Sequence, residues 1–252
     1  MATAEDFDRA FAAAPTTRRH SVFAQALGLP PEVEPNSFVT PPLLARLARE
    51  LGVGPGSVLV DLACGRGGPG LVLARDTGAS LIGVDFSAVG VAQAGERSGI
   101  FVPPGRARFV VGDLAATGLP SSDADAVLCV DAVQFADDKA AAVAEAYRLL
   151  RPGGRYVQTN WQATDPAADD VPRGFRGLHF PSLLAGAGFV DVVVDDDPAL
   201  AAPVTAVFEA ALALPPAGPD DEPLRRLQDE ARVVLAWPAT VRRVVVTATR
   251  PG

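Results

Sequence analysis

Residues 58–75, VLVDLACGRGGPGLVLAR, are the stretch of this chain that decides the fold. An apolar run with strand character ends in a glycine-rich turn after Asp61, and the residues beyond the turn have the character of a buried helix. Small residues in such a turn let a ligand approach the backbone N–H groups at the start of the helix. The stretch therefore predicts a strand, a ligand-binding turn and a helix, in that order.

From residue 57 onward, short β-branched runs alternate with longer amphipathic runs, which is typical of parallel strands joined by crossover helices. The predicted architecture is an open, doubly wound α/β sheet. Strands are expected at 57–62, 80–85, 108–112, 126–131, 154–159, 190–195 and 241–249. Helices are expected at about 40–52, 68–77, 87–98, 137–150, 180–187, 203–214 and 220–236.

The first 55 residues differ from the rest of the chain. They carry a proline-rich linker, LGLPPEVEPNSFVTPP, between two short helical patterns, and we predict that residues 1–55 form an N-terminal helical lid or cap. A loosely attached leader without a function stays open as the alternative. Residues 56–252 are expected to form the main domain, with a helical insertion at about 198–238.

The charge balance limits the partners that the chain can bind. It has 22 Lys and Arg against 30 Asp and Glu, a formal net charge of −8, and Lys139 is its only lysine. Nucleic acids and anionic membranes are bound by clustered basic residues, so neither is an expected partner. We expect a small-molecule substrate, and the oligomeric state stays open.

The sequence lacks the patterns that indicate a membrane span, secretion or a metal site. No apolar run approaches the roughly 18 residues that span a bilayer, and the N-terminus lacks the pattern of a signal peptide. Cys64 and Cys129, the only cysteines, have neither metal-ligand nor disulfide spacing, which suits a reducing compartment. We therefore expect a cytoplasmic protein without a metal site.

The glycine-rich turn matches two kinds of cofactor site. Gly65, Gly67 and Gly70 satisfy the G-x-G-x-x-G spacing of dinucleotide-binding proteins, and Asp85 follows where a ribose-binding acid belongs. A carboxylate at the strand end, Asp61, would repel a pyrophosphate but attract an ammonium group. This favours S-adenosylmethionine, which has an ammonium group and no phosphate, and an NAD-dependent dehydrogenase stays open as the alternative.

Five segments in order resemble the motifs of the class I S-adenosylmethionine-dependent methyltransferases, particularly the bacterial enzymes that act on small molecules. They are residues 60–67 (VDLACGRG), 84–87 (VDFS), 112–114 (GDL), 129–131 (CVD) and 150–154 (LRPGG). The resemblance implies a seven-stranded Rossmann-like sheet with an antiparallel last strand, and a cofactor across the carboxyl ends of the first four strands. It also implies methyl transfer to a small organic acceptor, with oxygen favoured over nitrogen or carbon by family frequency.

The resemblance also implies which residues bind S-adenosylmethionine. Asp85 is expected on the ribose hydroxyls, Phe86 and Leu114 on the two faces of adenine, Asp113 on its amino group, and Asp131 beside the sulfonium. The full expected set is Asp61, Ala63, Cys64, Gly65, Gly67, Asp85, Phe86, Ser87, Asp113, Leu114 and Asp131. The chain departs from the family pattern at Ala63, where relatives usually have glycine.

Candidates for the chemistry are few, because the chain has only two histidines. His179, His20 and Gln134 are the candidate catalytic residues, although relatives often have a histidine near position 134. The histidines can instead be surface or capping residues. The acceptor pocket is expected to include Phe38, Thr40, Gln134 and Trp161. A protein that keeps this fold and cofactor without transferring a methyl group stays open as a further alternative.

Overall fold

The computed structural model describes residues 3–12, 18–34, 36–165, 171–237 and 241–252. It contains one seven-stranded sheet with the order β3-β2-β1-β4-β5-β7-β6, in which β7 is antiparallel to both neighbours. The strands are β1 Val58–Leu62, β2 Ser80–Asp85, β3 Ala107–Val111, β4 Ala124–Val130, β5 Leu150–Ala163, β6 Val190–Asp195 and β7 Val241–Thr249. The predicted doubly wound, Rossmann-like sheet with an antiparallel last strand is confirmed.

Nine α-helices occur within the described ranges. They are α1 Ala4–Ala12, α2 Arg18–Leu27, α3 Pro41–Leu51, α4 Gly68–Thr77, α5 Ala88–Arg97, α6 Lys139–Leu149, α7 Phe180–Ala187, α8 Ala202–Ala213 and α9 Glu222–Val234. Short 3₁₀ turns at Pro31–Val33, Val133–Phe135 and Arg173–Phe175 border the cavities described below. None of these helices has the length and apolar character needed to cross a membrane.

Apolar side chains cover both faces of the sheet. On one face, α2, α3, α4, α8 and α9 contribute to a single cluster of buried residues. On the other face, α6 and α7 pack against the inner strands. This double coverage explains the near-continuous apolar runs of β1 and β4, which have few positions left for polar residues.

The N-terminal segment has contacts with several parts of the main domain. α1 contacts α5, α2 contacts α8 and α9, and α3 lies against α4 and β5 with Leu47 and Leu51 buried in the core. A division of the chain at residue 55 and a lid function for the segment before it remain predictions. Residues 1–2, 13–17 and 35 of this segment, and residue 238 of the predicted insertion, lie outside the described residues.

The largest error in the predicted strands concerns β5. The sequence predicts a strand at 154–159, whereas the observed strand is Leu150–Ala163. Its register with β7 runs from Arg155↔Thr249 to Ala163↔Val241, so pairing with a distant segment extends it in the C-terminal direction. The extension brings Trp161 to the end of the sheet where ligands bind in this architecture.

Candidate functional site

Two adjoining cavities lie at the carboxyl ends of the parallel strands. The first, the strand-end cavity, has a volume of about 130 Å³. Nine of the predicted cofactor-binding residues line it: Asp61, Ala63, Cys64, Gly65, Asp85, Phe86, Asp113, Leu114 and Asp131. Four strands, β1 to β4, therefore each deliver a carboxyl group to one cavity. Further lining comes from Phe7 and Phe11 of α1 and from the segment around Ser37.

Asp61 is the most perturbed carboxyl group of this cavity. It is 2% exposed, and burial together with the nearby Asp85 raises its pKa to about 8. The backbone N–H of Gly70 donates a hydrogen bond to it. Because two buried carboxylates repel each other, this pair favours a bound cation.

Gly70 supports Asp61 by leaving space for it. A Cβ atom at residue 70 would lie 2.3 Å from Oδ2 of Asp61. The third glycine of the G-x-G-x-x-G spacing is therefore required by a carboxyl side chain of the protein, and a phosphate is not needed to explain it.

A substitution tests this requirement. Gly70→Ala is expected to lower the free energy of unfolding by about 1–3 kcal/mol, because the carboxyl group or the start of α4 must move. Denaturant unfolding measures this effect. Gly95→Ala is the matched control, since residue 95 also lies in a helix but nothing is within 4 Å of its Cβ position. Equal stability of the two variants would show that Gly70 has no special role.

The Asp61 carboxyl also gives the free protein a pH dependence. Above about pH 4 the unfolded chain ionises Asp61, whereas the folded chain holds its proton up to about pH 8, so stability falls as the pH rises through this window. The pKa of His20 is lowered to about 4, so this residue makes stability rise with pH, but only below its ordinary pKa of 6.5. Between about pH 6.5 and 8, the melting temperature should fall more steeply in the wild type than in Asp61→Asn. Equal slopes would contradict the raised pKa.

Asp85 is buried at the end of β2 and is 4% exposed. Its Oδ2 accepts a hydrogen bond from the Gly65 N–H at 2.7 Å, and its Oδ1 accepts one from the Ser87 N–H at 2.8 Å. Burial raises its pKa. Each oxygen can accept a further hydrogen bond, so the carboxyl group both fixes the turn and is available to a ligand in the cavity.

Two predicted cofactor residues have structural roles instead. Gly67 precedes α4 with φ +80°, and a Cβ there would meet Leu71 and Phe109. Ser87 caps α5, because its Oγ accepts a hydrogen bond from the Gly90 N–H at 3.0 Å and donates one to Asp8. Neither residue lines the strand-end cavity.

Ala63, the departure from the family pattern, adopts a backbone conformation that favours glycine. Its φ is +56°, in the left-handed region. An alanine in this region costs about 1–2 kcal/mol, so the turn is held by its surroundings. One such contact is the hydrogen bond from the neighbouring Cys64 N–H to the Val84 carbonyl at 3.0 Å.

Arg66 is a cavity residue that the sequence analysis missed. It is 7% exposed, contacts the carboxylate of Glu34, and lines both cavities. Its Nε has no hydrogen-bond partner in the described part of the chain. Arg97 donates to the Arg66 carbonyl at 3.0 Å and lies 3.7 Å from Glu34, so the cluster has two cations and one anion. The sequence signal that could have identified Arg66 as a cavity residue is its position within the glycine-rich turn.

The second cavity, here called the aromatic cavity, has a volume of about 1130 Å³. Its aromatic lining residues are Phe7, Phe11, Phe38, Phe135, Trp161, Phe175, Phe208 and Trp237. Both tryptophans of the chain are among them, with ring centroids 5.3 Å apart. The two cavities share lining residues, including Phe7, Arg66 and Asp131, so a molecule in one can reach a molecule in the other.

Asp131 lies at this junction and is fixed from three directions. Its Oδ1 accepts a hydrogen bond from Thr159 Oγ1 at 2.8 Å, and its Oδ2 accepts from the Phe38 N–H at 3.2 Å and from Arg243 Nη2 at 2.9 Å. The Arg243 side chain is 0% exposed and lies over the Phe38 ring. The Asp131–Arg243 pair therefore connects β7 to the segment after β4 that contains Asp131 and borders both cavities.

The predicted catalytic residues are in different places. His179 is exposed at the start of α7, with Nδ1 2.7 Å from Ser182 Oγ, and lines neither cavity. His20 lines the aromatic cavity, but burial and the charges of Arg19, Arg66 and Arg97 lower its pKa to about 4, which makes it a weak base.

Among the predicted pocket residues, Phe38, Gln134 and Trp161 line the aromatic cavity. The Gln134 Nε2 donates to the Asp131 carbonyl at 2.6 Å, so this side chain supports the junction. Thr40 is not in either cavity, because its Oγ1 caps α3 by accepting from the Leu43 N–H at 3.3 Å. Its position after the proline-rich linker fits the cap.

Comparison with known proteins shows similarity to methyltransferases over part of the chain. Residues 60–158 match the model of a family described as a methyltransferase domain. A sterol 24-C-methyltransferase of Gibberella zeae, ERG6B, is 32% identical over 162 residues, which cover 57% of this chain and 42% of that protein. A 2-methyl-6-phytyl-1,4-hydroquinone methyltransferase of Synechocystis is 34% identical over 121 residues, covering 48% and 36%. The chain spans less than half the length of these curated relatives.

Solved structures share the fold. Geranyl diphosphate C-methyltransferase from Streptomyces coelicolor A3(2) aligns with a TM-score of 0.68 at 19% identity, over 98% of this chain and 97% of that one. The [4+2]-cyclase SpnF aligns with a TM-score of 0.70 at 22% identity, over 83% and 81%. The chain therefore has the fold of the S-adenosylmethionine-dependent methyltransferases, and its residues 60–158, which include the five motifs, are similar to their methyltransferase domain.

Proposed function

We propose that the chain transfers the methyl group of S-adenosylmethionine to a large, mostly apolar small molecule. The observation that carries this proposal is the pair of adjoining cavities that meet at Asp131, one with four strand-end carboxyl groups and one with aromatic walls. The net charge of −8 supports a small-molecule partner over a nucleic acid. A cytoplasmic location remains a prediction.

The residues of the strand-end cavity fit the nucleoside and ammonium groups of S-adenosylmethionine. Asp61, a buried carboxyl group with its pKa raised to about 8, gains a favourable partner when an ammonium group is near. Asp85 has unused acceptor capacity for the ribose hydroxyls. Phe86 and Leu114 suit the faces of the adenine ring, and Asp113 suits its amino group.

Two orphaned polar groups fit the carboxylate of the same cofactor. Arg66 Nε and Ser37 Oγ are buried, line the strand-end cavity, and have no partner among the residues described. A carboxylate ligand would satisfy both and would balance the excess positive charge around Glu34. When bound, S-adenosylmethionine supplies an electrophilic methyl group, and these residues hold and orient it.

The aromatic cavity supports an apolar acceptor. Its size exceeds what a small polar metabolite would fill, and the named relatives act on a sterol and on a phytyl hydroquinone. The preference for oxygen inferred by family frequency has no support from these relatives. His20 is a weak base, and both oxygens of Asp131 are hydrogen-bonded. The acceptor atom is therefore one that attacks without first losing a proton, such as an alkene or electron-rich ring carbon. The cation that forms when the methyl group leaves sulfur then loses a proton to solvent.

Formation of S-adenosylhomocysteine during incubation with candidate acceptors tests this function. We expect product with isoprenoid alkenes or prenylated hydroquinones, and a rate in His20→Gln within about threefold of the wild type, because no proton transfer through His20 is needed. Turnover only with acidic hydroxyl acceptors, together with a loss of about 100-fold or more in His20→Gln, would contradict it. Binding of cofactor without turnover on any acceptor would instead favour a non-methylating protein of this fold.

A further inference from the structure

We propose that the molecule bound in the aromatic cavity carries an anionic group, a carboxylate or a phosphate, which Lys139 and Arg173 bind at the cavity edge. This inference rests on the proposed acceptor role of that cavity. The observation behind it is the set of charged residues that line the aromatic cavity.

Most cations that line the aromatic cavity already have a partner. Arg9 pairs with Asp6, Arg66 with Glu34, and Arg226 with Glu222, while Arg19 donates to Asn36 Oδ1 at 2.7 Å and interacts electrostatically with Glu230. These pairs neutralise one another within the protein. Apart from the cluster of Arg66, Arg97 and Glu34, they leave little net charge to attract a ligand.

Lys139 and Arg173 differ from these cations. Both line the aromatic cavity, and neither has an ion pair or a side-chain hydrogen bond to any described residue. Lys139, the only lysine of the chain, begins α6 just after the 3₁₀ turn Val133–Phe135, and Arg173 begins the 3₁₀ turn Arg173–Phe175. α6 contacts the first of these turns, and the two turns contact each other, so both cations lie on elements that meet at one side of the cavity.

The acids of the lining do not compensate this edge. Asp131 is paired with Arg243, Asp229 with Arg232, and Glu222 with Arg226. Asp137 and Glu230 line the cavity as exposed carboxylates without an ion pair in the described ranges, and Glu230 interacts electrostatically with Arg19, which leaves Asp137. Two uncommitted cations against one uncommitted anion leave a local positive charge on a protein whose net charge is −8. An anionic group beside an apolar body matches this combination of charge and aromatic surface.

Tryptophan fluorescence gives a direct readout, because both tryptophans line this cavity. We would titrate the full chain with two matched pairs of ligands. Farnesyl monophosphate and farnesol differ only in the anionic group. Dodecanoate and dodecanol make the same comparison for a carboxylate and so distinguish a carboxylate from a phosphate. The phosphate is expected to bind about tenfold or more tightly than the alcohol. A dodecanoate affinity above that of dodecanol would extend the site to carboxylates.

Variants assign the preference to the proposed residues. The double variant Lys139→Gln, Arg173→Gln should lose the preference for phosphate and keep its farnesol affinity within about twofold, and Asp137→Asn should strengthen phosphate binding. Arg226→Gln is the matched control, because its cation lines the same cavity but is already paired with Glu222.

The outcomes separate this inference from the proposed function. Equal affinity of the wild type for phosphate and alcohol, or a preference that survives in the double variant, would overturn the anionic site and leave the apolar acceptor cavity intact. Absence of a fluorescence change with every probe would contradict both.

Discussion

Replacing Arg243 by methionine is expected to lower the free energy of unfolding by about 3–5 kcal/mol, the typical cost of removing one partner of a buried ion pair. The Arg243 side chain is 0% exposed, and its Nη2 lies 2.9 Å from Asp131 Oδ2. Methionine fills a similar volume but leaves the Asp131 carboxylate without its cation. Denaturant unfolding of both proteins, analysed with a common m-value, measures the difference.

The neighbouring arginine provides the control. Arg242 also pairs with an aspartate, Asp196, but the two side chains are 51% and 53% exposed. Arg242→Met should therefore change stability by no more than about 1 kcal/mol. Adding Asp131→Asn to Arg243→Met should restore part of the lost stability, because it removes the uncompensated charge. Equal effects of the two arginine variants would show that burial does not strengthen the Asp131–Arg243 pair.

Replacing Asp85 by alanine is expected to weaken S-adenosylmethionine binding by at least about tenfold, since two charge-assisted hydrogen bonds to the ribose would be lost. The buried position of Asp85 adds a stability cost. Its two backbone partners, Gly65 N–H and Ser87 N–H, would lose their acceptor, at about 1–3 kcal/mol for each buried group. Calorimetry below the melting temperature of the variant measures the affinity, and thermal unfolding measures the stability.

Two further variants separate binding from folding. Asp85→Asn keeps the side-chain volume and one acceptor oxygen but removes the charge, so it should fold better than the alanine variant and still bind weakly. Asp76→Ala removes an exposed carboxylate at the end of α4 that lines neither cavity, and should bind as the wild type does. A well-folded Asp85 variant with wild-type affinity would refute the ribose assignment.

The parts of the fold that were predictable are those with a local signal. The predicted bounds of β2, β6 and β7 agree with the structure, because each is a β-branched run bounded by turn residues. The carboxyl groups at strand ends were predictable for a related reason. Asp61, Asp85, Asp113 and Asp131 lie at or just beyond the ends of parallel strands, and parallel strands end at one edge of the sheet.

The parts that were not predictable depend on distant segments. The length of β5 follows from pairing with β7, and Arg243 reaches Asp131 across 112 positions of sequence. The aromatic walls combine Phe7 of α1 with Trp237 after α9, and no local pattern relates these residues. Thr40 and Ser87 were assigned to ligands because short polar residues near a turn suit helix caps and ligand contacts equally well.

Isothermal calorimetry of the full chain with S-adenosylmethionine, S-adenosylhomocysteine and NAD distinguishes the proposed cofactor from the dinucleotide alternative. Our account predicts that the first two bind at one site per chain and compete with each other, because both have the ammonium, carboxylate, ribose and adenine groups that the strand-end cavity fits. It predicts no binding of NAD, whose pyrophosphate would approach the carboxyl group of Asp61. Binding of NAD in place of S-adenosylmethionine, or no binding of either sulfur nucleoside by folded protein, would contradict the account.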